Sequence, residues 1–503
     1  MDAASFEDEK DIKTTEVVNE PRFTDEQERR IVRKFDTRLL PFLSFMYLFS
    51  SLDRSSLGNA VLDNFEADLG MTGNQLNTAV TIFYVGFLTF QIPSNIMLKR
   101  YSAKVWLPLL MAIWGTIACC HAACKNYAQL LVLRVLLGFF ESGFFVCITF
   151  IICYMCDRRQ ISVVYFLTTF YKKHEMATRI AVFWGSTTAA HAFAGVLAYG
   201  ILQMRGIGGL AGWQWLFLIE GIPTVLVSFV AFFYLPVGPS TCRWLTDEEK
   251  VLAVERLEAE GPSGHQSLAD INPSNRKEAF EAFKDWKVWF YMVIFFCGSV
   301  PNTSVSNFLP SIVKGMGYSN KLDANLMSAP PYVFAVIVVI LIAYSSDRLH
   351  DRAFHAIGGA SVCFLGYVLL LTLVGNSARY AAVCLAVAGV FVINPVANAW
   401  LTGNIAPSMK KSVATAMVVM ANNSAGLVGS NIYLSTDAPY YTKGHAINLG
   451  FISLFIILVL VLRILLWREN RARQQKLTAI EAANEVEVEG RIGDRRLDFR
   501  YAL

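Results

Sequence analysis

Long apolar stretches, separated by short polar segments, follow one another along most of this 503-residue chain. Each stretch has about 20 residues, which is the length that an α-helix needs to cross the hydrocarbon core of a bilayer. Twelve such spans occur, at residues 39–60, 77–98, 105–123, 128–150, 179–202, 214–235, 288–311, 324–345, 355–375, 379–401, 412–434 and 448–467. The pattern predicts an all-α membrane protein with twelve transmembrane helices.

The longest polar interruption lies at residues 236–287 and divides the spans into six and six. We therefore expect an N-terminal six-helix half at 39–235, a C-terminal half at 288–467 and a loop between them. The charged segments 1–38 and 468–503 are expected to be tails. This organisation resembles the major facilitator fold, in which a substrate binds between two halves that rock against each other.

The distribution of lysine and arginine predicts the orientation of the helices. If both tails are cytoplasmic, the loops on the cytoplasmic side hold 17 lysines and arginines and the outer loops hold 6. Cytoplasmic loops of membrane proteins carry such an excess of positive charge. We expect a multi-pass protein of the plasma membrane with both termini in the cytoplasm.

Composition narrows the range of functions. Hydrophobic residues make up 54% of the chain and charged residues 17%, against roughly 25% charged residues in an average soluble domain. The basic residues lie in loops, so the lipid bilayer is an expected partner and nucleic acid is not. The ten cysteines are scattered without a zinc-binding spacing, and no nucleophile–base set or phosphate-binding loop stands out. We expect a monomer with no catalytic residue, no metal and no cofactor, hence no enzyme.

Four charged residues inside the predicted spans are the strongest candidates for a functional site. Asp53 and Arg54 lie in the first span, and Arg134 and Glu141 lie in the fourth. A charge at membrane depth costs at least about 2.5–3.5 kcal/mol, which makes such residues functional candidates by default. The adjacent Asp53 and Arg54 should point about 100° apart and have different partners.

Arg134 and Glu141 are separated by seven residues, with Gly138 between them. This spacing places both charges on one helix face, about 10 Å apart. Because Gly138 removes bulk from the same face, we expect that face to line a cavity.

Two interpretations of these charges remain open. In the first, arginine forks hold a planar carboxylate substrate in two parallel hydrogen bonds, and the two acids bind and release a proton as the substrate arrives and leaves. In the second, the four residues form buried ion pairs that fix the first and fourth helices together. Ion pairs alone are an expensive way to join two helices, so we favour the functional interpretation.

Polar residues in other spans are weaker candidates for substrate contacts. Packing, or a hydrogen bond between helices, is an alternative interpretation for each of them. A bend at Pro395 would free backbone carbonyls beside two of the asparagines. The candidates are Tyr84, Thr187, His191, Asn394, Asn398, Asn422 and Asn423.

Several stretches of the chain resemble the anion:cation symporter family of the major facilitator superfamily, and within it the fungal allantoate permease branch. This branch includes nicotinate, pantothenate and related carboxylate permeases. The resemblance covers about residues 35 to 470. The stretches that carry it are FDTRLLPFLSFMYLFSSLDRSSLGNA, QIPSNIMLKR, RVLLGFFESGFF, YFLTTFYKKHE, GWQWLFLIEGIPT and STDAPYYTKGHAINLG.

The resemblance implies roles for the candidate residues. Asp53 and Glu141 would serve proton coupling, and Arg54 and Arg134 would position the substrate carboxylate. The family's tyrosine in the second helix falls on Tyr84, and its asparagine in the eleventh helix falls on Asn422 or Asn423. The loop YSSDRLHDR resembles the superfamily's conformational signature, carried by Asp347, Arg348 and Arg352. The implied function is proton-coupled uptake of a small organic carboxylate, of vitamin or nitrogen-source type, by alternating access.

Residues 146–160, VCITFIICYMCDRRQ, interrupt the family's spacing after the fourth span. Their removal restores the expected FESGFFISVVYFLTTFYKKHE, and Val-Cys and Gln160 fit common intron boundaries. We therefore interpret this segment as an insertion or a retained intron. The alternative is a real extension of the helix that ends at Arg158 and Arg159. If the segment is part of the mature protein, a nutrient sensor or an inactive relative that binds without transport is the alternative function.

Overall fold

A computed structural model describes residues 25–101, 103–145, 170–171, 176–258, 280–317, 323–349, 351–406, 408–482, 494, 496–497 and 499–503 of the chain. The predicted insertion at 146–160 lies outside the described residues. All regular structure in the described part is helical.

Twelve long helices make up most of the described residues, which confirms the predicted fold class. The first six are α1 (Asp25–Ala60), α2 (Gln75–Tyr101), α3 (Ala103–His121), α4 (Tyr127–Phe145), α5 (Met176–Leu202) and α6 (Gly212–Tyr234). The second six are α7 (Trp286–Lys314), α8 (Ala329–Leu349), α9 (Ala353–Thr372), α10 (Asn376–Asn404), α11 (Ser408–Gly429) and α12 (Thr442–Ala482). Eight of the twelve, namely α3, α4, α6, α7, α8, α9, α10 and α12, are long and apolar enough by length and composition to cross a membrane.

Shorter helices lie in the connections. The connection between α6 and α7 contains a surface helix, Asp247–Glu258. Two four-residue α-helices, Phe65–Asp68 and Asp323–Leu326, precede α2 and α8. Single 3-10 turns occupy Val61–Asp63, Ile207–Gly209, Pro239–Thr241 and Ser435–Asp437.

Glycine allows α2 and α4 to pack at backbone contact. A Cβ atom at Gly138 of α4 would meet the backbone of Phe83 and Phe87, and one at Gly86 of α2 would meet the carbonyl of Val135. Small residues at helix crossings permit such close approach in membrane proteins. The space left by Gly138 is therefore filled by α2, and the cavity at this helix face is lined by Arg134 instead.

The bundle has two ends, which we call the tail face and the loop face. The tail face carries the first turns of α1, the surface helix and residues 494, 496–497 and 499–503. The loop face carries the connection between Ala60 and Gln75. At the tail face, Lys34 of α1 donates to both carboxylate oxygens of Glu249, at 2.5 and 2.7 Å. Glu249 also accepts from the backbone of Thr246 at 3.0 Å and so caps the surface helix.

Residues near the C-terminus fold back onto the tail face of the second half. Asp494, which is 1% exposed, accepts hydrogen bonds at 2.8 Å from Lys287 of α7 and Lys410 of α11. Trp400 of α10 donates to the carbonyl of Ala502 at 2.8 Å. These residues thus tie together the ends of α7, α10 and α11.

Neutral hydrogen bonds join the two halves at the loop face. Asn77 of α2 donates to the carbonyls of Ser430 and Tyr433, at 2.7 and 2.9 Å. Asn431 donates to the hydroxyl of Thr81 at 2.8 Å. These contacts hold the start of α2 against the end of α11 and close the loop face between the halves.

Candidate functional site

A cavity of about 120 Å³ lies between the two halves. Helices α1, α2 and α5 form one wall, and α7, α10 and α11 form the other. The lining side chains are almost all polar. They are Tyr47, Ser51, Arg54, Ser55, Tyr84, Thr187, His191, Ser299, Asn302, Thr303, Ser306, Asn307, Asn394, Asn422 and Asn423.

Arg54 is the cationic residue in this lining. Its Nε donates to Oε1 of Glu141 at 2.5 Å, and its guanidinium lies 5.0 Å from the ring of Phe87. The carboxylate of Glu141 is fully buried and also accepts from Ser50 at 2.6 Å. The arginine and the hydroxyl compensate the burial of this carboxylate. The guanidinium of Arg54 therefore faces the cavity with its counter-ion behind it.

Arg134 lies beside this pair, deeper in the first half. It lines a second, much smaller cavity of about 10 Å³, which shares Arg54, Tyr84 and Asn307 with the larger one. Arg134 is 3% exposed, and its Nε and Nη2 have no hydrogen-bond partner among the described residues. A buried guanidinium with unsatisfied donors is costly. An anion in the smaller cavity would satisfy these donors.

Asp53 faces away from the cavity. Its Oδ2 accepts from the indole N–H of Trp114 in α3 at 3.1 Å, and the residue is 3% exposed. The partner of the adjacent Arg54 is Glu141 of α4. Asp53 and Arg54 thus have different partners, and among the described residues no ion pair within 4 Å joins Asp53 to an arginine.

Six of the seven weaker candidates line the larger cavity: Tyr84, Thr187, His191, Asn394, Asn422 and Asn423. The seventh, Asn398, is not among the lining residues. Its backbone carbonyl accepts from Thr402 at 3.0 Å, as expected for a helix interior. The structure therefore does not bring Asn398 together with the other candidates.

His191 and Tyr84 take different positions around the cavity. Nδ1 of His191 lies 2.7 Å from the carbonyl of Thr187, one turn earlier in α5, and its ring packs at 5.3 Å from Tyr332. The ring of Tyr84 fills the space above Gly426 of α11, where a Cβ atom would meet it. Tyr84 is thus a direct contact between the two halves.

The cavity has a surplus of hydrogen-bond donors. Nη2 of Arg54 and the Nδ2 atoms of Asn307 and Asn423 are buried and have no partner in the described part of the chain. Across the cavity, Ser299 hydrogen-bonds to the side-chain oxygens of Asn422 and, at 3.4 Å, Asn394. Donors without partners are satisfied by a ligand that brings acceptors, and a carboxylate brings acceptors only.

Sequence reasoning missed two parts of this region. The first is the polar face of α7, which supplies Ser299, Asn302, Thr303, Ser306 and Asn307. The signal was the stretch SVPNTSVSN, whose polar residues recur at helical spacing inside an apolar span. The second is a charged residue of α6, Glu220, which is 2% exposed and hydrogen-bonds to Ser56 of α1. It is the one carboxylate in the predicted span 214–235.

The residues of the predicted conformational signature lie at the tail face, far from the cavity lining. Arg348 is exposed at the end of α8. Arg352 donates to the hydroxyl of Ser346 at 3.1 Å, and its backbone N–H donates to the carbonyl of Leu503 at 2.9 Å. The side chain of Asp347 is not described. No group of three or more potential metal ligands occurs among the described residues.

Comparison with known proteins identifies the fold and the family. The family model described as Major Facilitator Superfamily matches residues 43–430. The MFS-type transporter efuF of Hormonema carpetanum is 35% identical over 448 residues, which are 88% of this chain and 86% of that protein. The MFS-type transporter cnsO of Penicillium expansum is 34% identical over 496 residues, 96% of this chain and 92% of that protein.

A solved structure of a D-xylose-proton symporter shares the fold with a TM-score of 0.62 and 15% identity, covering 84% of this chain and 96% of that one. Residues 43–430, which the family model matches, include every residue that lines the larger cavity. This chain therefore belongs to the Major Facilitator Superfamily and is a multi-pass membrane transporter rather than an enzyme.

Proposed function

We propose that the protein takes up a small organic carboxylate together with protons, by alternating access of the cavity between its two halves. The observation that carries this proposal is the buried Arg134, whose Nε and Nη2 have no partner in the described residues, beside Arg54 at the cavity wall. Two guanidinium groups at membrane depth are costly unless an anion pairs with them. A planar carboxylate is the anion that matches the geometry of an arginine fork.

The size and chemistry of the cavity support a small substrate. Its volume of about 120 Å³ is well below the roughly 300–1,000 Å³ of pockets for drug-sized ligands. The lining amides and hydroxyls can orient a polar ring or chain, but no second cation faces them from the other half among the lining residues. We therefore propose a monocarboxylate, of the vitamin or nitrogen-source type that the allantoate permease branch carries.

Glu141 and Asp53 are the proposed proton-coupling acids. Glu141 is held by Arg54, so a substrate carboxylate that binds Arg54 competes with Glu141 for the same guanidinium. A carboxylate that loses its arginine in a buried site gains affinity for a proton. Substrate binding and protonation of Glu141 are thereby linked through one side chain, and Asp53 lies on the same helix as Arg54.

The proposed setting is the plasma membrane, with the tail face in the cytoplasm and the protein acting as a monomer. The excess of lysine and arginine in the loops of the tail face supports this orientation. In this orientation the hydrogen bonds of Asn77 and Asn431 close the outer side of the cavity.

Uptake measurements test the proposal. Cells that produce the full chain should accumulate at least one of radiolabelled nicotinate, pantothenate and allantoate. Accumulation should rise at acidic outside pH and fall when a protonophore collapses the proton gradient. Glu141→Gln should reduce net uptake more than exchange of internal for external substrate, because exchange needs no net proton movement.

The outcomes separate the alternatives. Uptake that is indifferent to the protonophore would contradict proton coupling. Saturable binding of one of these carboxylates to the purified protein, without uptake or exchange, would favour the sensor or inactive relative. Equal loss of uptake and exchange in Glu141→Gln would make Glu141 a structural residue.

A further inference from the structure

Glu220 of α6 is a buried carboxyl group of the first half that lies outside the cavity lining. It is 2% exposed, and its Oε1 has no hydrogen-bond partner among the described residues. Ser56 of α1 contacts Oε2. No lysine, arginine or histidine lies within 4 Å of this carboxyl in the described part of the chain, whereas Glu141 has Arg54 at 2.5 Å.

The hydrogen bonds around Ser56 accommodate a protonated Glu220. The hydroxyl oxygen of Ser56 is 2.8 Å from the carbonyl of Leu52 and also lies within hydrogen-bonding distance of Glu220. A serine has one hydroxyl hydrogen and two acceptor lone pairs. If Ser56 donates to Leu52, as helical serines do, its oxygen can accept a hydrogen bond from Glu220 only when the glutamic acid is protonated.

An ionised Glu220 would have Ser56 as its one hydrogen-bond donor in the described part of the chain. A charge without a cation would then remain at membrane depth, at a substantial cost in free energy. The neutral acid avoids this cost. The proton on Glu220 also lies one helical turn from Asp53, because Asp53 and Ser56 share one face of α1.

We propose that Glu220 is a proton-binding residue of the transport cycle that is protonated in this state and carries a proton in addition to the one on Glu141 and Asp53. This inference rests on the proposed function, because it adds one coupled proton to the same cycle. Ser56 links the Glu220 carboxyl to the helix that carries Arg54. Movement of α1 when substrate binds or leaves then alters the hydrogen bond that holds the proton.

Other titratable and charged groups approach this region from the helices packed around α6. They are Asp53 of α1, Cys119 and His121 of α3, and Arg134 of α4. His121 and Arg134 contact the ring of Phe217, one turn before Glu220, at 5.1 and 5.7 Å. On α5, which also packs against α6, Arg179 pairs with Asp36 near the other end of α1, and Nδ1 of His191 lies 2.7 Å from the carbonyl of Thr187.

The first test detects the proton without any substrate. Infrared spectra of the purified full-length protein in lipid, recorded across a pH titration, should contain the carbonyl stretch of a protonated carboxyl at neutral pH. Glu220→Gln should remove the part of this band that Glu220 contributes, so that the difference spectrum between wild type and variant shows the loss of one protonated carboxyl. Glu248→Gln, at an exposed position of the surface helix, should give no such difference. A band of unchanged intensity in Glu220→Gln overturns the assignment.

The second test counts protons in proteoliposomes with the membrane potential clamped at zero. The probe is whichever of labelled nicotinate, pantothenate and allantoate the wild type accumulates most. Each coupled proton multiplies the steady-state accumulation about tenfold per pH unit of gradient. Glu220→Gln should therefore reduce the slope of log accumulation against the pH gradient by one, with exchange retained, while Glu248→Gln keeps the wild-type slope.

The outcomes distinguish this inference from the proposed function. A wild type with no response to the pH gradient overturns both proton coupling and the role of Glu220 in it. A wild type with coupling, together with an unchanged slope in Glu220→Gln, overturns the inference alone. Loss of the infrared band with an unchanged slope makes Glu220 a protonated structural acid.

Discussion

Replacing both members of the Arg54–Glu141 pair by leucine separates its structural role from its functional role. The two side chains join α1 to α4, and the carboxylate of Glu141 is fully buried. Removing one partner of a buried pair leaves an uncompensated charge and costs about 3–5 kcal/mol. Replacing both with apolar residues of similar volume is often neutral or stabilising by about 1–4 kcal/mol.

The expected order of stability follows from these magnitudes. Arg54→Leu leaves Glu141 with the hydroxyl of Ser50 as its remaining donor, at 2.6 Å. Glu141→Leu leaves a buried guanidinium whose Nη2 already has no partner in the described residues. Both single variants should therefore unfold at lower temperature than the wild type. The double variant should recover most of the stability that the single variants lose. Its free energy of unfolding should stay lower by about 0.5–1.5 kcal/mol, because Ser50 loses its acceptor.

In the double variant, the thermal stability of the purified protein should be retained while carboxylate uptake is lost. The double variant should be nearly as stable as the wild type but should neither take up nor exchange carboxylate, because Arg54 is the cation at the cavity wall. Ser50→Ala is the matched control, since it removes one hydrogen bond from Glu141 and leaves the ion pair intact. A stable double variant with wild-type uptake would refute the role of Arg54 as a substrate ligand. A double variant as unstable as the singles would refute the energetic reasoning.

Three further predictions test the packing and the tail face. Gly138→Val should destabilise the protein by about 1–3 kcal/mol, the usual cost of overpacking, because the new side chain would meet the backbone of α2. Thermal unfolding measures this loss. Gly185→Ala is the control, because a Cβ atom at Gly185 has open space around it. Burial raises the pKa of Glu249, but the hydrogen bonds from Lys34 and the backbone of Thr246 and the charges of Lys34 and Arg30 together outweigh burial and lower that pKa below the ordinary 4.5. The contact of the surface helix with α1 should thus be intact above pH 4.5 and weaken as the pH falls through the lowered value, which hydrogen exchange of that helix measures. Asp494→Asn should lower the free energy of unfolding by about 1–3 kcal/mol, because it weakens the hydrogen bonds from the two lysine partners. It should also make the C-terminal residues accessible to protease. Unchanged proteolysis would contradict this prediction.

Hydrophobic periodicity was sufficient to predict the helices of this protein. Twelve spans of about 20 apolar residues leave few alternatives to a helical bundle, and the division at residues 236–287 indicates two halves. The same reasoning did not predict that α12 continues to Ala482 or that Asp494 returns to the tail face. The contacts of Asp494 with Lys287 and Lys410 span 207 and 84 residues, and a local charge pattern contains no information about such pairings.

The candidate site was predictable by residue type but not by partner. The cost of charge in a membrane indicated Asp53, Arg54, Arg134 and Glu141, and three of these four approach one another around the two cavities. Which arginine binds which acid depends on the rotation of each helix, and sequence spacing does not fix that rotation across different helices. Glu220 was missed for a related reason, because one acid in a strongly apolar span lowers its hydropathy very little.

The way charge is divided between the halves bears on how they can move. The contacts Arg54–Glu141, Asp53–Trp114 and Glu220–Ser56 all lie within the first half, and the lining from the second half consists of neutral amides and hydroxyls. The hydrogen bonds described between the halves at the loop face are also neutral. Each such bond contributes about 0.5–1.5 kcal/mol, against about 3–5 kcal/mol for breaking a buried ion pair. Rocking of one half against the other can therefore open the loop face without separating the buried Arg54–Glu141 pair. The charge that the cycle must neutralise is then that of the substrate and its protons.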